Sequence, residues 1–205
     1  MESKSKFGVI LAGGRASRMG YEDKGLKLLG HKAIVQWVAD AATLQTESLL
    51  LSINHNPQHY AFLGLEPVKD EQDAYGGPLV GIVSTMRYLR QKGATENDLL
   101  ACFPADVPWF PDDLAVKLIA KLRSTGSEVV MAEQGDQLQP LFSVWSLSVL
   151  PVLDKAISSG LYGPKLVLPQ LRYATVRFPS QQGHFYNINT PEDLRTANQW
   201  LPDSE

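Results

Sequence analysis

Four segments combine glycine, charge and side-chain amides in ways that suit a polyphosphate ligand. The first is Leu11-Ala12-Gly13-Gly14-Arg15-Ala16-Ser17-Arg18-Met19-Gly20, which closes an apolar run. Adjacent glycines let backbone N–H groups approach phosphate oxygens closely, and Arg15, Arg18 and the nearby Lys24 add positive charge. No Gly-Lys-Ser/Thr tail follows, so this is not a P-loop. The adjacency of Gly13 and Gly14 also departs from the Gly-x-Gly-x-x-Gly dinucleotide pattern. For the glycines alone, a solvated turn between strand and helix competes evenly with a ligand loop.

The second segment, Phe103-Pro104-Ala105-Asp106-Val107-Pro108, sets one carboxylate between two prolines. Such an Asp suits Mg²⁺, a hard cation that takes one or two carboxylates and completes its shell with substrate phosphates. The structural alternative is a helix cap, but Asp112 is better placed for that, which leaves Asp106 without a structural task. The third segment, residues 70–81, holds Asp70, Glu71 and Asp73 ahead of Gly76-Gly77-Pro78. Gly77-Pro78 suits the close approach of a base or ribose, whereas loop carboxylates taken alone read as solvated surface. The fourth is Tyr186-Asn187-Ile188-Asn189-Thr190-Pro191-Glu192-Asp193. Thr190 as N-cap and Pro191 in the first turn start a helix, which leaves the Asn187 and Asn189 amides for a ligand. The histidines His31, His55, His59 and His184 lack zinc-ligand spacing, and Ser17 and Ser143 lack a nucleophile elbow.

These segments need a scaffold, and short apolar runs alternating with amphipathic stretches supply one. Residues 7–11, 49–53, 98–103 and 128–132 read as buried strands, and residues 33–44, 79–90 and 112–123 as helices, the last opened by Pro111. That alternation implies a mainly parallel sheet covered on both faces, a Rossmann-like three-layer α/β/α domain. The chemistry-bearing segments then fall at the carboxyl ends of strands, where open α/β sheets bind ligands. After residue 132 the pattern changes. Residues 134–137 read as a turn, 141–145 as an antiparallel strand, 147–157 as a helix and 174–178 as a strand, with a closing helix after Pro191. The reading is one α/β domain over residues 1–205, nucleotide-binding through residue 132 and acceptor-side from 133, with an irregular C-terminal portion closing over the site.

Composition narrows the function classes. A net charge of −3 gives no reason to expect nucleic acid or an anionic membrane as partner. One cysteine, Cys102, cannot form an intramolecular disulfide, and its apolar surroundings suit a buried structural thiol. The N-terminal apolar stretch is too short for a signal peptide, so the reading is a cytoplasmic protein.

Taken together, these segments resemble the molybdenum cofactor guanylyltransferase (MobA) family, in collinear order from Phe7 to Trp200. The Leu-Ala-Gly-Gly opening is shared with many nucleotidyltransferases. Asp23-Lys24-Gly25-Leu26 and the Asn-x-Asn-Thr-Pro-Glu ending at residues 187–192 are more particular to this family. The resemblance implies Mg²⁺-dependent transfer of GMP from GTP to molybdenum-bearing molybdopterin, with release of pyrophosphate. It implies that Leu11, Ala12, Gly13 and Gly14 line the guanosine and phosphate site and that Arg18 and Lys24 act on phosphates. Asn54, Asp70 and Gly77 correspond to guanosine contacts, Asp106 to the metal ligand, and Asn187 and Asn189 to the pterin side. GTP and molybdopterin are the implied small-molecule partners, with molybdoenzymes or a chaperone as transient protein partners. One departure falls on the acceptor side, where Gln137, Leu138 and Gln139 stand in place of a basic residue before Pro140. Three alternatives stay open: a molybdopterin cytidylyltransferase, a sugar-phosphate nucleotidyltransferase, and a non-catalytic paralogue that binds nucleotide or molybdopterin.

Overall fold

The computed structural model describes residues 5–12, 23–70 and 77–201. After β1 (Ser5–Leu11), a 3-10 turn over Lys24–Leu26 leads into a small hairpin of β2 (Leu28–Leu29) and β3 (Lys32–Ala33). Then come α1 (Ile34–Gln45), β4 (Thr46–Ser52), a 3-10 segment (Pro57–Leu63), β5 (Glu66–Val68), α2 (Pro78–Gln91), β6 (Leu99–Pro104) and α3 (Leu114–Thr125). The C-terminal portion adds β7 (Val129–Gln134), β8 (Gln137–Ser146), α4 (Leu150–Ser158), α5 (Pro164–Val167), β9 (Tyr173–Phe178) and α6 (Pro191–Asn198).

Seven strands form one sheet in the order β5-β4-β1-β6-β8-β7-β9, with β8 antiparallel to both of its neighbours and every other pairing parallel. The mostly parallel α/β architecture and the antiparallel C-terminal strand agree with the sequence reading. The chain winds outward from β1 through β4 to β5, then returns to pair β6 on the other side of β1. The topological switch point therefore lies between the ends of β1 and β6, where Leu11 pairs with Pro104.

Both faces of the sheet are covered because strand side chains alternate. On β1, Ile10 packs with Val35, Val38 and Ala42 of α1 and with Leu118 of α3. Val9 packs on the opposite side with Leu79, Ile82 and Met86 of α2 and Leu153 of α4. Burying an aliphatic side chain of this size contributes about 1.5–3 kcal/mol, so these two layers hold the strand ends in place. Cys102 is fully buried in the second layer, and burial pushes its thiol far above the ordinary range, as a structural cysteine requires. Among the described residues no helix is long and apolar enough to cross a membrane.

Two local readings need correction. The start of α3 does not use Asp112: the helix begins at Leu114, with Asp113 in the cap position and no cap bond from its side chain. Gln45, at the end of α1, takes over. Its Oε1 accepts from the Ala115 N–H at 2.9 Å and its Nε2 donates to the Pro111 carbonyl at 3.0 Å. Second, β8 starts at Gln137, upstream of the strand read from residue 141. Pro140 cannot donate to the ladder, and the register accordingly shifts opposite Met131/Ala132.

Candidate active site at the β1–β6 switch point

The end of β1 is tied to both neighbours by backbone hydrogen bonds. Ala12 N–H donates to the Ser52 carbonyl at 2.9 Å, and Ala105 N–H donates to the Leu11 carbonyl at 3.2 Å. Asp106 is thereby presented beside Leu11 and Ala12, one residue past the pairing. The C-terminal segment returns here. Ile188 N–H donates to the Asp106 carbonyl at 2.9 Å and Phe185 N–H to the Trp109 carbonyl at 3.0 Å, so residues 185–188 run alongside 106–109.

Lys24 arrives from the 3-10 turn that precedes the hairpin. Its Nζ donates to Asn189 Oδ1 at 2.6 Å, a contact between residues 165 positions apart. Burial raises the pKa of Asp106 above its ordinary value, against the attraction of the Lys24 ammonium and a hydrogen bond from its own backbone N–H. The switch point thus holds a half-buried carboxylate beside a tethered cation. As a donor set it fits Mg²⁺: a single hard carboxylate oxygen, with room for phosphate ligands. Among the described residues no group of three or more His, Cys, Asp or Glu side chains could hold a metal ion.

A second pair lies along the same edge of the sheet, past β4 and β5. Asn54 Nδ2 donates to Asp70 Oδ2 at 2.6 Å, and Asp70 N–H donates to Asn54 Oδ1 at 2.8 Å. Burial raises the pKa of Asp70 despite hydrogen bonding from Asn54 and the nearby Ser84 hydroxyl. The Asp70 carboxylate is thus held by Asn54 on one side and approached by the Ser84 hydroxyl, with its Oδ1 buried. Gly77 sits at the start of α2 with φ +83° and ψ 179°, a region open to glycine alone, and a Cβ there would lie 3.0 Å from the Tyr162 carbonyl oxygen. That carbonyl accepts the Leu79 N–H at 3.1 Å, so the α4–α5 loop closes on the first turn of α2.

Of the residues named from sequence, Leu11, Ala12, Lys24, Asp106 and Asn189 come together at the switch point. Asn54 and Asp70 form their own pair, with Gly77 at the adjoining helix start. Asn189, read as facing the acceptor, is bonded to Lys24, while Asn187 is exposed. Gly13, Gly14 and Arg18 lie outside the described residues, as do residues 71–76 of the third segment. Gln137, Leu138 and Gln139 begin β8 beside the turn that closes β7, at the ligand edge of the sheet.

The model of the MobA-like NTP transferase domain matches residues 8–173. The chain belongs to that family. A molybdenum cofactor guanylyltransferase of Photobacterium profundum is 35% identical over 193 residues, covering 94% of this chain and 95% of that protein. One of Rhizobium meliloti is 34% identical over 201 residues, with 95% and 91% covered. Among solved structures, molybdopterin-guanine dinucleotide biosynthesis protein A of Archaeoglobus fulgidus superposes with a TM-score of 0.73 at 21% identity, covering 94% of this chain and 97% of that one. The 4-diphosphocytidyl-2C-methyl-D-erythritol synthase of Anaerococcus prevotii gives 0.70 at 13% identity, with 96% of each chain covered. The fold therefore extends across proteins named for different nucleotides.

Sequence reasoning missed three residues that shape this MobA-like site. Gln45 and Tyr162 act through contacts 70 and 83 residues away, with no local signal. Asp193 was legible, because Thr190-x-x-Asp193 has capping-box spacing, and the box is present.

Proposed function

We propose that the protein transfers GMP from GTP to molybdenum-bearing molybdopterin in the cytoplasm, forming the guanine dinucleotide and releasing pyrophosphate. The observation that carries the reading is the Lys24–Asn189 contact beside Asp106 at the switch point, in a chain whose relatives, one-third identical along nearly its whole length, are named guanylyltransferases. The acceptor's terminal phosphate oxygen attacks the α-phosphorus of GTP, and the bond to the departing pyrophosphate breaks. A phosphate monoester is largely ionised at neutral pH, so the step needs no general base. The protein's task is positioning and charge neutralisation. Lys24 presents its ammonium to the phosphate oxygens, with Arg18 and the amides of Leu11, Ala12, Gly13 and Gly14 completing the cradle. Asp106 would hold Mg²⁺, which supplies positive charge to the phosphates when bound. Asn54, Asp70 and Gly77 form the guanosine side. Residues 133–205 supply the acceptor side, with Asn187 and Asn189 toward the pterin.

Turnover tests the reading. With molybdopterin, molybdate and Mg²⁺ supplied, GTP should be consumed with stoichiometric pyrophosphate and the guanine dinucleotide should appear, while equal CTP competes poorly. Equal use of CTP would overturn the guanine assignment, and nucleotide binding without pyrophosphate release would overturn the enzyme assignment.

A further inference from the structure

The carboxylate of Asp193 accepts three hydrogen bonds. Its Oδ2 takes the N–H groups of Asn189 at 3.0 Å and Thr190 at 2.8 Å, and its Oδ1 takes the Tyr186 hydroxyl at 3.1 Å. Burial works against its ionisation, but the bonds from Thr190, Asn189 and Tyr186 outweigh it and hold its carboxyl below the ordinary range. The capping box accounts only for the exchange with Thr190, whose Oγ1 accepts the Asp193 N–H at 3.1 Å. The bonds to Asn189 and Tyr186 exceed what a helix start requires. They bracket the stretch whose Ile188 N–H holds the Asp106 carbonyl and whose Asn189 side chain holds Lys24.

The helix that carries Asp193 is itself anchored to the segment that carries Lys24. Gly30 N–H donates to Asn198 Oδ1 at 2.9 Å, and Leu29 and Ile34 share a buried cluster with Ile188 and Ala197. Lys24 therefore stands between two parts of the chain that α6 fixes relative to each other. A lysine ammonium is a point charge on a flexible four-carbon stem, so its direction must come from a partner. Here one of its donors is committed to Asn189.

We propose that Asp193 is a positioning residue for the transfer reaction, fixing the Asn189 backbone so that Asn189 Oδ1 holds the Lys24 ammonium in one direction beside Asp106. The proposal rests on the phosphate role assigned to Lys24 above. Asp193 touches no substrate and acts through Asn189.

Three variants and two readouts test it. Thr190→Ala removes the hydroxyl cap and the hydroxyl's own pull on the carboxylate but keeps the bonds Asp193 accepts from the Asn189 and Thr190 N–H groups and from Tyr186, so it measures the cost of a weaker helix start with the Asn189 tether in place. Asp193→Ala removes both functions, and Asp193→Glu keeps an acceptor at the usual capping-box position. The first readout is steady-state transfer. Asp193→Ala should lower kcat on the order of 10- to 100-fold with KM for GTP little changed, as misplacement of a charge by about an ångström does. Thr190→Ala should lower Tm with kcat intact, and Asp193→Glu should recover much of the lost kcat. The second readout is the Lys24 ammonium resonance in ¹⁵N-lysine-labelled protein, identified by its loss in Lys24→Arg. It should be sharp and slowly exchanging in the parent and in Thr190→Ala, and broadened in Asp193→Ala. A kcat in Asp193→Ala that falls no further than in a Thr190 variant of equal Tm, or an unchanged Lys24 resonance, overturns the proposal. If the parent proves inactive toward molybdopterin and GTP while the resonance still depends on Asp193, the substrate reading fails and the tether stands.

Discussion

Replacing Gly77 by alanine should destabilise the protein through two separable effects. At φ +83° and ψ 179° the backbone lies where a side chain costs on the order of 1–3 kcal/mol. The new Cβ would also come within 3.0 Å of the Tyr162 carbonyl oxygen, which is backbone and cannot swing aside as a side chain would. Moving it weakens the 3.1 Å bond it accepts from the Leu79 N–H, worth about 0.5–1.5 kcal/mol. Together these predict a loss of about 1.5–4.5 kcal/mol, which for a chain of this size lowers Tm by roughly 3–18 °C. Gly64→Ala is the control, because Gly64 has φ +64° and ψ 15° with nothing within 4 Å of its Cβ position. It should cost only the left-handed conformation, about 1–2 kcal/mol, or roughly 2–8 °C. Calorimetry of both variants, with and without GTP, separates the effects. The contact with Tyr162 predicts the larger loss at Gly77, together with a smaller GTP-induced rise in Tm than in the parent. A loss at Gly77 no greater than at Gly64 would refute the argument that the α4–α5 loop is locked onto the start of α2.

Two further substitutions probe the switch point. Lys24→Ala should reduce kcat on the order of 10²-fold or more in the transfer assay, as loss of a preorganised charge partner does, and near-parental turnover would leave the lysine with no part in the chemistry. Asp106→Asn should separate stability from function. Because burial raises the folded pKa of Asp106, the folded state retains a proton that the unfolded chain releases near pH 3.9. Stability is therefore lost as pH rises from the unfolded toward the folded pKa, and the loss persists at neutrality. With metal chelated, Asp106→Asn should melt above the parent at pH 7, with the difference closing at pH 3, while its Mg²⁺-dependent turnover falls on the order of 10³-fold. A variant that melts lower at pH 7 contradicts the sign, and one with the parental rate and Mg²⁺ dependence removes Asp106 as metal ligand.

The proposed Asp193 tether gives a role to the return of the C-terminal segment to the loop after β6, where Ile188 N–H donates to the Asp106 carbonyl. Lys24 and Asp106 are 82 positions apart and lie on different elements, and neither position fixes the direction of the ammonium. Asn189 does so from a third element, held by the start of α6. On the proposed reading, an exchange at Asn189 or Asp193 should thus be felt at the phosphates even though both residues lie more than 160 positions beyond Lys24.

What the sequence determined by itself is what depends on near neighbours. Apolar runs of strand length alternating with amphipathic stretches specify the α/β class, since each such element must bury one or both faces against the others. Loop chemistry marked Lys24, Gly77 and Asp106, the family resemblance added Leu11, Asn54 and Asp70, and Thr190 with Pro191 announced α6, because caps and turns are recorded within a few residues. The tertiary structure alone decided the rest. The place of β8 between β6 and β7 depends on which strand edges remain free once the parallel core has formed, and no short window encodes that. The start of α3 was misread because its cap comes from Gln45, 70 residues away, and any side chain that reaches the Ala115 N–H satisfies it as well as a local aspartate. Lys24 meets Asn189 across 165 residues for the same reason: a hydrogen bond depends on distance in space, and folding sets that distance independently of separation along the chain.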